Sequence, residues 1–186
     1  MQPHRSLSPT LEYAVLGFVR HEPLHGYEIY ARMHAAHALG LVWHVKQAHL
    51  YAIIDRLEAH GLLRADVVPQ DGRPPKRLLS LTDAGRAAFD VWLRTPVAHG
   101  RDLRIHFLTK LFWAQHEGPA VAAKLIAQQR AACATWLEHL HAERRSLDDA
   151  EPFAVLVLDF RVGQTDAMLR WLDTCAATLA HEPVLS

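Results

Sequence analysis

The chain has 186 residues, with 20 Lys+Arg balanced against 20 Asp+Glu, so its formal charge is zero and bulk electrostatics announce neither a nucleic-acid nor a membrane partner. Two cysteines, Cys133 and Cys175, are too few for a disulfide framework and lack metal-ligand spacing, which fits a reducing compartment. The opening MQPHRSLSPT has no apolar core of a secretion signal, and no run of about 20 uncharged apolar residues occurs, so a soluble, unexported, cytoplasmic protein is expected.

Taken in order, Ser8 and Pro9 read as N-cap and first residue of a helix carrying Leu11, Ala14, Val15 and Phe18 at helical spacing, ending near residues 21–23. A second helix is predicted from about His25 to Leu39, with Ile29 and Met33 inward and Gly40 closing it. The third starts after Lys46. Its Leu50, Ile53, Ile54 and Leu57 fall at i, i+3, i+4 and i+7, one apolar stripe, and Gly61 ends it. Its opposite face is small and smooth at Ala48 and Ala52, with His49 and Tyr51 on the flanks. A hairpin follows, Leu63–Val68 against Lys76–Leu81, and QDGRPP is the turn. Pro69, Pro74 and Pro75 cannot donate ladder hydrogen bonds and are placed in that loop. Thr82 and Asp83 open a fourth helix.

Three helices and a two-strand wing with a basic tip define an N-terminal winged helix-turn-helix, which points to double-stranded DNA. Small side chains let the third helix approach base edges, where Lys46, Gln47, His49 and Tyr51 supply donors and acceptors. Around Gly72, the residues Arg73, Lys76 and Arg77 are placed to meet phosphates, and Tyr27 at the start of the second helix to touch the backbone. The blander readings are a solvated basic turn, and for Tyr51 packing against the second helix.

TPVAHG (95–100) reads as a linker, dividing the chain into 1–95 and 96–186. The second module is all helical, making the whole mainly α. A helix spans Asp102 to Gln115; another runs from Pro119 to about Leu147 with Ile126, Cys133, Leu140 and Leu147 every seven residues. In the last, roughly Pro152 to Ala180, Val155, Leu158, Val162, Thr165, Leu169, Leu172, Ala176 and Leu179 alternate steps of three and four, a coiled-coil seam. A second stripe passes through Phe153, Val157, Phe160, Met168 and Trp171. Two apolar faces need more than one neighbour, which argues for a homodimer through Val155, Leu158, Val162, Leu169, Leu172 and Leu179. As a group, Phe112, Trp113, Trp136, Phe153, Phe160 and Trp171 are candidates to line an effector cavity, although core packing is the commoner role of each.

Fourteen histidines raise the question of a metal or haem. His34 and His37 stand three apart and His139 and His141 lie on different helix faces. There is no HExxH, no cysteine pair and no carboxylate set, so no metal or other cofactor is expected. With no phosphate loop, nucleophile elbow or triad, an enzyme is not expected either.

VLGFVRHEPLHGYEI (15–29), HLYAIIDRLEAHGLL (49–63) and PPKRLLSLTDAGR (74–86) resemble the PadR family of bacterial transcriptional regulators closely over residues 10–95. The helical second half is similar in style to the longer members. Two departures occur: Gln47, Ala48 and His49 replace the family's usual Ser or Thr and Gly before Leu50-Tyr51, and Leu78 and Leu79 stand where aromatics are usual. The resemblance implies a dimeric repressor with recognition helices in successive major grooves, released by a small, often aromatic, effector. The competing reading is a winged-helix adaptor that binds protein rather than DNA.

Overall fold

The computed structural model describes residues 9–70, 73–147 and 151–179, with the side chains of Pro9, 68–70 and 73–75 excepted. The proposed N-cap Ser8, the turn residue Gly72, Ala180 and the Arg73 side chain therefore lie outside the described residues. The elements are α1 (Pro9–Phe18), β1 (Leu24–His25), α2 (Gly26–Ala35), α3 (His37–Gly40), α4 (Gln47–Ala59), β2 (Leu63–Gln70), β3 (Arg73–Leu81) and α5 (Asp83–Arg94). A 3-10 turn at Gly100–Arg104, α6 (His106–His116), α7 (Pro119–Ser146) and α8 (Pro152–Leu179) complete the chain. Among the described residues no helix is long and apolar enough to cross a membrane. Among the described residues no group of three or more His, Cys, Asp or Glu is placed to hold a metal ion.

Two compact units form: Met1–Leu93 with Arg104–Trp113, and Arg94–Leu103 with Ala114–Ser186. The early turns of α6 pack with the first unit. The cause is large side chains. Phe107 is fully buried and Trp113 is 5% exposed, its ring edge-on to Phe18 at 4.8 Å. Gly17 faces that indole, where a Cβ would come within 2.4 Å.

The stripe Leu50, Ile53, Ile54 and Leu57 is buried as its spacing dictates. Four side chains of that size remove apolar surface worth about 1.5–3 kcal/mol each. Two expectations need correction. The second helix breaks at Ala36, whose ψ of 79° leaves the helical region, so α2 and α3 are separate. The three prolines lie within the strands rather than the loop. Pro69 falls at an irregularity between Val68 and Gln70, and Pro74 and Pro75 precede the stretch where β1 joins β3, leaving that side of the strand an open edge. The sheet has three strands, in the order β1-β3-β2, because Leu24 and His25 pair with Leu79 and Leu78.

Lys110 is 5% exposed; its Nζ donates to the Trp92 carbonyl oxygen at 2.8 Å and lies 5.3 Å from the centroid of the Trp92 ring. That oxygen belongs to the last turn of α5, whose carbonyls lack partners inside the helix, so the lysine closes the helix end. Burial lowers its pKa from the ordinary 10.5 to about 8. Because the folded value lies below the unfolded one, the unfolded chain binds more protons between pH 8 and 10.5, and stability rises with pH across that window. Urea unfolding just below and well above this range should differ by on the order of 2 kcal/mol, a gain that Lys110→Met abolishes.

In the second unit α7 and α8 run antiparallel: Arg130 pairs with Asp173 at 2.6 Å and Arg144 with Asp159 at 3.2 Å. Ile126, Cys133 and Leu140 on one helix and Leu158, Thr165 and Leu172 on the other are buried at steps of seven, the period of a coiled-coil seam.

Candidate nucleic-acid interface

The site begins at the N-terminal end of α4. Lys46 takes the extended N-cap conformation, the first turn carries no acidic residue, and Lys46, Gln47, Ala48, Tyr51 and Ala52 are all exposed. Unsatisfied backbone N–H groups and the positive end of the helix dipole face outward beside a lysine, an arrangement suited to anions. His49 differs from the expectation for a base-reading residue. It is half-buried, and its Nε2 is shielded from solvent with no hydrogen-bond partner among the described residues.

The start of α2 adjoins this face. Gly26 is its first residue, and the Tyr51 ring crosses it so closely that a Cβ there would sit 2.9 Å from Cε1. Glu28 Oε2 accepts the His25 backbone N–H at 2.8 Å, half of a capping box. Tyr27 is 50% exposed and stacks on the His25 ring at 5.8 Å, and Lys76 Nζ stands 5.5 Å from the Tyr27 ring centroid, a cation–π contact between wing and helix. His25 Nδ1 is 2.9 Å from the Arg77 carbonyl oxygen. A carbonyl can only accept, so the proton is on Nδ1.

Arg77, one of the residues expected to meet phosphates, also makes contacts within the chain. Its guanidinium is paired within the chain, with Glu58 and, at 3.4 Å, Asp55, both on α4. The hydrogen bond it donates to Glu58 holds its pKa above the usual arginine value. The arginine therefore joins the wing to the recognition helix. Tyr27, Lys46, Gln47, Tyr51 and Lys76 remain grouped around the end of α4 and the base of the wing. His25, Gly26 and Glu28 are additions. Their signal was present in HGYE, a glycine where a helix begins followed by glutamate at the capping-box position.

The remaining predicted residues lie in two places. Phe112 and Trp113 belong to the first unit, where their rings meet at 5.1 Å. Trp136, Phe153, Phe160 and Trp171 belong to the second, with Phe153 and Phe160 79% and 69% exposed. The six are not brought into one cavity within either unit. On α8, Leu158 and Leu172 are buried, Val155, Val162, Leu169 and Leu179 are half-buried, and Phe153, Leu156, Val157 and Phe160 are the exposed apolar residues of its first turns.

Residues 15–91 match the sequence model of the transcriptional regulator PadR-like family, and residues 103–180 that of the virulence activator alpha C-terminal region. The first half of the chain is thus similar to the PadR-like family of transcriptional regulators. It is 26% identical to a probable transcriptional regulator of Mycobacterium tuberculosis, over 92% of this chain and 98% of that one. Identity to the negative transcriptional regulator PadR of Bacillus subtilis is 25%, over 81% and 82% of the two chains. Among solved structures it is similar to Bacillus subtilis PadR in complex with operator DNA, at 23% identity and TM-score 0.45, covering 91% of this chain and 98% of that one.

Proposed function

We propose that the protein represses transcription as a homodimer that reads operator DNA with α4 of each protomer, straps the flanking backbone with its wing, and is released by a small effector. The observation that carries the reading is the exposed N-terminal face of α4, smooth at Ala48 and Ala52 and polar at Lys46, Gln47 and Tyr51. Such a face enters a major groove with base edges in reach of its first residues. Wing cations then lie along the phosphates, and the Tyr27–Lys76 pair beside them. The sign of regulation follows the Bacillus subtilis relative, which is a negative regulator.

Dimerisation is supported by α8, where Phe153, Leu156 and Phe160 stand exposed at i, i+3 and i+7. A self-complementary apolar stripe of this kind is covered by a second copy about a twofold axis. Two recognition helices then meet half-sites about 34 Å apart, and an effector that alters their separation by a few ångströms releases the operator.

Fluorescence anisotropy with DNA from upstream of the protein's own gene tests the reading, and an adaptor would not bind it. Arg73→Ala combined with Lys76→Ala is expected to weaken binding alike on operator and unrelated DNA. The salt slope should flatten by roughly one for each phosphate no longer neutralised. An unchanged slope would remove the wing from the interface.

A further inference from the structure

Between Gly40, where α3 ends, and Gln47, where α4 begins, residues 41–46 form neither helix nor strand, and their course decides where the first turn of α4 stands. At one end the backbone is tied back to α3, since the Val42 and Trp43 N–H groups both donate to the Leu39 carbonyl oxygen, at 2.9 and 3.0 Å. At the other, Lys46 caps α4 without a side-chain hydrogen bond. Among the described residues one side-chain hydrogen bond holds the segment between these ends. Trp43 Nε1–H donates to Thr109 Oγ1 on α6 at 3.0 Å, across 66 positions of sequence.

The direction of that bond follows from its atoms. An indole N–H can only donate, and the single proton of the Thr109 hydroxyl goes to the Ile105 carbonyl oxygen at 2.7 Å, so Oγ1 offers Trp43 a lone pair. Thr109 is itself held fast. It is fully buried, as is Phe107 on the same helix, and the next residue, Lys110, closes α5. A valine has the same shape and no hydroxyl to desolvate, so packing alone gives no reason for threonine here. Helix α6 is therefore a fixed post, and the approach to α4 hangs on it by one bond. Base-edge hydrogen bonds weaken steeply with small displacements, whereas attraction to phosphates does not, so the placement of that first turn matters to sequence reading far more than to general DNA affinity.

We infer that Thr109 is a positioning residue for sequence reading: it touches no DNA, and through Trp43 it sets the first turn of α4 in register with the base edges. The DNA part of this inference rests on the regulator reading above. Two measurements on the full chain test it, one without DNA. In hydrogen exchange, the His49 and Leu50 amides, which donate to the Lys46 carbonyl oxygen, should open about tenfold more often in Thr109→Val than in the unaltered chain, and Thr109→Ser should restore them. In fluorescence anisotropy, Thr109→Val should weaken binding to the duplex from upstream of the gene about tenfold and leave a scrambled duplex of the same length within about twofold. Thr109→Ser loses a buried methyl and should melt lower, yet keep the preference between the duplexes. Trp43→Phe should reproduce the loss and add nothing to Thr109→Val. Unchanged exchange in Thr109→Val, an unchanged preference in that variant, or an equal loss in Thr109→Ser overturns the assignment. The exchange experiment contains no DNA, so its failure rejects the positioning role alone, and an unaltered chain that does not distinguish the duplexes rejects the regulator reading alone.

Discussion

Gly85→Ala is expected to destabilise the first unit by about 3 kcal/mol, against a helix-propensity gain of about 1 kcal/mol that alone would favour it. A Cβ at this position in the first turn of α5 would lie 2.0 Å from the Leu62 carbonyl oxygen, 2.9 Å from its carbon and 3.0 Å from Leu81 Cδ2. Two of those three atoms are backbone, and they are held. The Leu62 oxygen accepts from the Thr82 N–H at 3.2 Å, and the Thr82 hydroxyl donates to the Gly61 carbonyl at 2.7 Å while capping the Gly85 N–H at 3.0 Å. Relief requires moving α5 off the end of α4 and breaking that cap. Thermal unfolding should show a fall of roughly 10 °C for a chain of this length. A rise would mean that propensity outweighs the clash and that the α4–α5 junction yields.

If the proposed dimer forms through α8, Phe153→Glu combined with Phe160→Glu should convert it to monomers and lower operator affinity about a hundredfold or more, because the second half-site then has no tether to the first. Both side chains are more than two-thirds exposed within the protomer, so its own melting temperature should hardly change. Sedimentation velocity separates the outcomes: a variant that stays dimeric excludes this face of α8 as the interface.

Residues with local causes were legible in the sequence. The α4 stripe needed only spacing, and its glycine stop only composition; the heptad runs in α7 and α8 likewise gave the buried face, Cys133 and Leu140 against Leu158 and Leu172. The partner of a stripe was not legible, because a 3,4 pattern is the same whether the neighbour is α7 or a second chain. Strand β1 was invisible for a different reason: two residues carry no periodicity, and Leu24 becomes strand only because Leu79 lies opposite. The pairing of Arg77 with Asp55 and Glu58 joins residues 22 and 19 apart, which no local rule anticipates, and it makes that wing residue an internal strut as well.

That strut has a consequence for how a duplex would be selected. Residue 77 holds α4 through its guanidinium and the start of α2 through its carbonyl, so α4, the hairpin and the start of α2 meet at a single position. A reader assembled this way behaves as a stamp rather than a grasping hand. It loses little internal freedom on contact, and the accommodation must come from the DNA. Sequences whose grooves already have the required width, or whose steps bend readily to it, would then be favoured even at base pairs that no side chain reaches.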